Sequence, residues 1–324
     1  MGAVPPQPPV DPELSAALAV LGSGQQPPLR LETLAARREQ AAAMRLPDEV
    51  LRRDGTVELA ERTIPGPPGA PGLRVLILRP ARDRGAGPGV YHIHGGGMVL
   101  GDRRTGADEI ATWVGELGLV AVSVEYRLAP EHPHPAPVED CYAGLAWTAA
   151  HAGELGIDPS RLVIAGASAG GGLAAATALL SRDRGGPALS HQILMGPMLD
   201  DRGITPSSQE PAGEGAWDRA SNQACWSALL GESCGGPGVS PYAAPARAED
   251  LSGLPAAYID VGAAEIFRDE AIDFAARLGR AGGSVELHVW AGGSHGFEGM
   301  APQAAVSRAA RATRLGYLRR VLGR

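Results

Sequence analysis

Arg161-Leu162-Val163-Ile164-Ala165-Gly166-Ala167-Ser168-Ala169-Gly170-Gly171-Gly172-Leu173-Ala174-Ala175-Ala176 is the stretch that decides the fold. After Arg161, Leu162–Ala165 is an apolar run with β-branched Val163 and Ile164 at its centre, and a glycine ends it. Past Ser168 three glycines lead into alanine and leucine, the strongest helix formers. A strand that stops, turns and restarts as a helix is one half of a βαβ unit, whose crossover lays the next strand parallel to the first.

Working outward, six further short apolar runs read as strands: Leu73–Leu78, Val90–Ile93, Leu119–Val124, His191–Met195, Ala256–Val261 and Val285–Val289. Helical stretches lie among them at Thr105–Leu117, Val138–His151, Leu173–Leu180, Asp269–Leu278 and Ala304–Val321. This alternation predicts an α/β chain with a mostly parallel, doubly wound sheet covered on both faces. Leu29–Leu51 reads as one helix, and the Pro-rich opening as a frayed arm. Residues 203–245, rich in Pro, Gly and Ser, interrupt the alternation as an insertion that, with residues 1–50, could form a lid over the sheet's upper edge. No period of 20–50 residues repeats.

Composition narrows the chemistry. The 324 residues suffice for one large domain or a domain with a small appendage. A net charge of −7 disfavours nucleic-acid or anionic-membrane binding. All 29 basic residues are arginine, so a P-loop, a pyridoxal or Schiff-base lysine and a Ser-Lys dyad are excluded. Three cysteines, Cys141, Cys225 and Cys234, match no zinc or disulfide pattern and suit a reducing compartment. No secretory signal is visible, so the expected location is the cytoplasm. Leu162–Ser181 is uncharged and about as long as a membrane span. It carries four glycines and two serines and reads as strand, turn and helix instead.

The pattern G-x-S-x-G occurs at Ser168, Ser233 and Ser294, against roughly 0.3 chance matches. Only Ser168 sits between a strand and a helix, where a sharp turn lifts a hydroxyl clear of the sheet. Ser168 is therefore the candidate nucleophile, with Gly166 and Gly170 as supports of its turn. His94-Gly95-Gly96-Gly97 follows the strand Val90–Ile93 at a carboxyl end. There the backbone N–H groups of Gly96, Gly97 and Ala169 could bind an oxyanion, with His94 and Gly95 shaping the loop. His295, just past the last strand, is the candidate base; His92, His132, His134, His151, His191 and His288 lack a comparable place. Glu265 is the candidate acid because it comes first after Ala256–Val261, with Asp269 as fallback and Asp260 less favoured. Chain order Ser, acid, His suits this assignment.

These motifs, with Glu125-Tyr126-Arg127-Leu128-Ala129-Pro130-Glu131-His132-Pro133 and Gly171-Gly172, resemble the bacterial hormone-sensitive-lipase-like carboxylesterases (family IV esterases) of the α/β-hydrolase superfamily. The likeness spans about residues 90–300. It implies an eight-stranded sheet and a helical cap at residues 1–55 on a catalytic domain at 56–324, with 203–245 contributing to the cap. It implies no cofactor or metal, hydrolysis of small esters with short to medium acyl chains, and pairing of two copies through the last strand and C-terminal helix, while the residues themselves point to a Ser-His-Glu triad. Met98, Trp217 and Leu229 are candidate substrate-lining residues. Three positions depart from the family pattern: Ala167 stands where an acid or Thr is usual, Glu265 where Asp is common, and Met98 where an aromatic is frequent.

Three other functions share parts of this pattern, and the sequence does not separate the first of them from an esterase. An amidase or peptidase of the same fold would use the same residues. A non-catalytic receptor would have lost the base, which His295 retains. A nicotinamide site would need G-x-G-x-x-G spacing, which this turn lacks.

Overall fold

The computed structural model describes residues 7–22, 27–82, 85–210 and 217–323. Eight strands form one sheet in the order β1-β2-β4-β3-β5-β6-β7-β8. They are β1 Val57–Ile64, β2 Leu73–Pro80, β3 Gly87–Ile93, β4 Val120–Glu125, β5 Ile157–Ala167, β6 His191–Met195, β7 Ala256–Gly262 and β8 Val285–Trp290. From β4 to β8 every neighbouring pair is parallel, while β2 runs antiparallel to both β1 and β4. The mostly parallel sheet expected from the alternation is therefore present.

The helices are α1 Pro12–Leu21, α2 Leu34–Ala43, α3 Asp48–Arg52, α4 Ala107–Leu117, α5 Ala136–Ala150, α6 Ala152–Leu155, α7 Ala169–Asp183, α8 Arg219–Leu230, α9 Arg268–Arg280, α10 Phe297–Met300 and α11 Ala305–Val321. Alternate residues of one strand serve opposite cores, as the two-residue period of a strand requires. On β5, Leu162 and Ile164 pack with α5, α7 and α9, whereas Val163 and Ala165 pack with α4 and α11. Burial on both faces is what makes such strands read as continuous apolar runs.

Three elements differ from the reading of the sequence. The eighth strand, β1, lies outside the apolar runs because it is an edge strand: only Val57 and Ile64 of its eight residues are buried. The expected helix over Leu29–Leu51 is divided into a 3₁₀ turn at Leu31–Thr33, α2 and α3. Pro47 stands between α2 and α3, and a proline lacks the N–H that would carry a helix through. Within the opening arm, Asp11 caps α1 by accepting from the Glu13 N–H at 2.8 Å, and Pro12 takes the first helical position, where its missing donor costs nothing. No helix among the described residues is long and apolar enough to cross a membrane.

Candidate active site

The candidate residues arise at the carboxyl ends of β3, β5, β7 and β8, the edge where open parallel sheets gather ligands. Ser168 leaves β5 with φ 57° and ψ −125°, a conformation costing on the order of 1–3 kcal/mol for a residue with a side chain. Its neighbours hold it there. Ser168 N–H donates to Met195 O at 2.8 Å, and Ser168 O accepts from Met198 N–H at 3.0 Å and Gly172 N–H at 3.1 Å. The glycines on either side are required by close approach. A Cβ on Gly166 would lie 2.2 Å from Gly170 O, and one on Gly170 would lie 2.1 Å from Ile93 O. The turn thus packs backbone on backbone and leaves the serine partly exposed.

His295 reaches this serine from the loop after β8, with Nε2 2.9 Å from Ser168 Oγ. Its Nδ1 lies 2.5 Å from Glu265 Oε2. Glu265 is 3% exposed, and its other oxygen accepts from Gly262 N–H at 3.0 Å, which folds the longer side chain back onto the end of β7. Burial alone would lower the pKa of His295, but the charge and hydrogen bond of Glu265, with a further contribution from Glu298, raise it above 6.5. The proton on Nδ1 faces Glu265, so Nε2 keeps its lone pair toward the serine hydroxyl. This arrangement can take a proton from Ser168 Oγ and return it elsewhere.

The alternative residues lie in other contacts. Asp269 accepts from Ser207 N–H at 2.7 Å and pairs with Arg268 at 2.8 Å. Asp260 is gripped by Arg314. His92 contacts Ser123, His151 contacts the Trp147 carbonyl and His288 contacts Glu286. Ser233 lies exposed in a 3₁₀ turn, and Ser294 is buried next to His295 in the chain.

Gly96 and Gly97 lie in the turn after β3, and Ala169 opens α7. Among the described residues, the N–H groups of all three donate to no protein acceptor. The amino end of α7 adds a favourable field for negative charge at the serine. His94 Nδ1 donates to Gly95 O at 2.8 Å, and its ring stacks on Tyr126 with centroids 4.2 Å apart. Burial brings the His94 pKa down to about 4, so the ring is a neutral prop within the loop.

Several supports escaped the sequence reading. The Tyr126 hydroxyl donates to His94 O at 3.0 Å. Arg38 of α2 donates to Val99 O at 2.8 Å and to Ala129 O at 2.9 Å, stapling the glycine turn to the segment after β4. Cys225 of α8 lies against Gly97, where a Cβ would come within 2.5 Å of Sγ and 2.9 Å of Trp217 Cη2. Of these three, Tyr126 belongs to the Glu125–Pro133 motif; nothing local in the sequence marks Arg38 or Cys225.

Met98 (0% exposed) and Leu229 (2% exposed) are packed in the larger core, while Trp217 is partly exposed with its ring centroid 6.2 Å from that of His295. A cavity of about 580 Å³ beside the glycine turn is walled by Gly96, Arg38, Ala42, Leu46, Leu100 and Leu128 among others. Gly96 is the lining residue it shares with the constellation around Ser168. Part of the insertion, residues 211–216, lies outside the described residues. Its described part meets the N-terminal segment where Leu29 N–H donates to Ser221 Oγ at 2.9 Å.

Comparison with known proteins gives a consistent result. Residues 90–299 match the family model Abhydrolase_3, described as the alpha/beta hydrolase fold. The chain is 39% identical over 258 residues to the carboxylesterase NlhH of Mycobacterium tuberculosis, covering 77% of each chain. It is 37% identical over 246 residues to the esterase LipI of the same organism, covering 76% of each. Among solved structures it is similar to a bacterial heroin esterase, with 40% identity, a TM-score of 0.89, and coverage of 97% of this chain and 98% of that one. A thermostable esterase from Pseudomonas putida is 30% identical with a TM-score of 0.86, covering 99% of each chain.

Proposed function

The chain belongs to the Abhydrolase_3 family, the hormone-sensitive-lipase-like branch of the α/β-hydrolases, and from that premise we propose that it is a serine carboxylesterase acting on small esters with short to medium acyl chains. The observation that supports this most strongly is the unbroken line from Glu265 through His295 to Ser168, at 2.5 and 2.9 Å, on the carboxyl edge of the sheet.

In this reading His295 Nε2 takes the hydroxyl proton as Ser168 Oγ attacks the ester carbonyl carbon. The carbonyl oxygen becomes an oxyanion held by the N–H groups of Gly96, Gly97 and Ala169, each worth about 2.7–4 kcal/mol of barrier. His295 then gives its proton to the alkoxy oxygen, the C–O bond breaks and the alcohol leaves. Water repeats the sequence on the acyl-enzyme: it loses a proton to His295, attacks, and releases the acid as the proton returns to Ser168. Glu265 stabilises the imidazolium that forms in both halves. Residues 1–55 and the insertion 203–245 serve as the cap, and the cavity beside Gly96 gives room for one side of the ester. Pairing of two copies belongs to the same proposal, supported by the edge of β8, which among the described residues pairs with β7 alone and leaves Val289 41% exposed.

A panel of p-nitrophenyl esters from acetate to laurate, run beside an isosteric anilide, tests this function. Turnover should be greatest at the short to middle lengths and far lower for the anilide. Preference for the anilide would instead make the chain an amidase.

The pH profile carries its own expectation. His295 is a base only when neutral, and its pKa is raised above 6.5. The value of kcat/KM, which reports the free enzyme, should therefore climb with rising pH through a midpoint above the ordinary imidazole value and then level off. Initial rates at low substrate concentration across pH check this; a midpoint well below 6.5 would contradict the pairing with Glu265.

A further inference from the structure

Behind the site lies a buried ionic cluster that the reaction above does not use. Arg314, on α11, is 2% exposed. Its Nε donates to Asp260 Oδ2 at 2.7 Å and its Nη2 to Asp260 Oδ1 at 3.1 Å. Nη1 lies 3.2 and 3.1 Å from the two oxygens of Glu109 on α4, and Nη2 also meets Glu298 Oε1 at 2.5 Å. One planar fork thus places all five of its N–H donors on three carboxylates from three elements. Asp260 accepts in addition from Trp290 Nε1 at 3.2 Å and from the Tyr258 hydroxyl at 3.3 Å.

Such a cluster is poorly explained by stability alone. Buried ion pairs can often be replaced by well-packed apolar groups at no loss, because desolvation cancels much of the attraction. Its location is more informative. Asp260 lies on β7, five residues before Glu265, and Glu298 lies three residues after His295. Between β8 and α10 the loop that carries His295 contains Gly292, Gly293 and Gly296, and its amino side is tied down where Gly292 O accepts from Asp11 N–H and Gly293 O from Ala264 N–H, both at 2.9 Å. Its amino side hangs on the edge strand, and its carboxyl side on the four-residue α10. Past His295, on the carboxyl side, Glu298 ties the loop to Arg314 and through it to Asp260 on β7.

We infer that Arg314 is a positioning residue for the hydrolytic reaction, a clamp that holds the stem of the Glu265 turn and the far end of the His295 loop in fixed relation by gripping Asp260 and Glu298. The inference rests on the assignment of Ser168, His295 and Glu265 as the reacting unit.

The charges around the clamp set the expected pH behaviour. From α4 it faces Glu109 and Asp108, from β7 Asp260 and Tyr258, and from α10 Glu298. On β8 the neighbours are Trp290, His288 and Glu286, and α11 itself adds Arg311, which pairs with Asp108 at 3.1 Å and lies 3.7 Å from Glu109. Burial raises the carboxyl pKa values of Glu109 and Asp260. Glu298 is held below its ordinary value because Arg314 outweighs its burial, and the resulting negative charge raises His295.

The test uses Glu298→Gln, Arg314→Lys and Arg314→Met in the full chain. The readouts are kcat and KM for p-nitrophenyl butyrate across pH, thermal midpoints, and the rate at which a fluorophosphonate labels Ser168. Arg314→Met should lower kcat on the order of 10²-fold, the loss expected from a small misplacement of reacting groups, while KM stays near the parent value. Arg314→Lys should recover part of that loss. Glu298→Gln should move the acid limb of kcat/KM to lower pH, because removing a nearby negative charge lowers the His295 pKa. If Arg314→Met fails to fold, kcat in Glu298→Gln, which weakens the grip of Arg314 on the loop, decides the matter: a fall with KM near the parent value supports the clamp, and a parent-like kcat overturns it. Parent-like kcat and pH limbs in folded variants would overturn the clamp. Labelling separates the two failures: a labelled parent with unaltered variants overturns the clamp alone, whereas an unlabelled parent overturns the catalytic assignment and the clamp with it.

Discussion

Replacing Ser168 by alanine should lower turnover of a short-chain p-nitrophenyl ester by about 10⁶-fold, the loss expected when a triad works as a unit. The size follows from chemistry rather than packing. Ser168 Oγ is the atom that would form the acyl bond, and alanine offers no other nucleophile at the bend. The fold should survive, because the bonds that hold the strained turn run through the backbone of Ser168 to Met195, Met198 and Gly172. An unchanged thermal midpoint and circular dichroism spectrum beside the lost rate would separate a missing nucleophile from a missing structure. Hydrolysis at the parent rate would show that another group carries the reaction. Ser233 and Ser294, the other two pattern matches, would then be the first to replace.

Glu265→Gln should cost about 10⁴-fold in kcat, the scale seen when a triad carboxylate becomes an amide. The side chains are nearly the same shape, and an amide oxygen can still accept from Gly262 N–H, now at 3.0 Å from Oε1. With that oxygen so engaged, an NH₂ faces His295 Nδ1. Two donors cannot pair, so the imidazole moves its proton to Nε2 and loses the lone pair that should accept from Ser168. Asp269→Asn provides the control. Its parent carboxylate is bonded to Ser207 and Arg268, so its turnover should stay close to that of the parent. A large loss in Asp269→Asn with little in Glu265→Gln would exchange their roles.

The two variants probe features that were legible to different degrees. Ser168 could be chosen from three pattern matches because its strand and helix are contiguous with it, and contiguous signals survive in a linear string. The sequence favours Glu265 over Asp269 because it comes first in the loop, while Asp269 and Glu270 can cap the helix that follows. The contact that separates them, with a histidine 30 residues later in the chain, is a product of how β7 and β8 lie side by side. The same division appears in the scaffold. Buried central strands announce themselves because both faces must be apolar, whereas β1, wet on most of its surface, carries charged residues and escapes notice. Pro47 divided a helix that apolar spacing alone made continuous, a local steric rule that outranked periodicity.

The supports of the site were the least legible. Cys225 beneath Gly97, Tyr126 stacked on His94 and Arg38 across Val99 and Ala129 join positions far apart in the chain. So do the four side chains of the Arg314 cluster.

By itself the amino-acid string determined the alternation of strands and helices, the bend at Ser168, the glycine turn after His94 and the order of serine, acid and histidine, because backbone propensity and steric exclusion act between neighbours. Only the folded chain decided which carboxylate meets His295, which side chains brace the glycine turn, and which charges are buried together at Arg314. Those outcomes depend on distances between residues far apart in sequence, and such distances are set by packing of the whole sheet rather than by any segment of it.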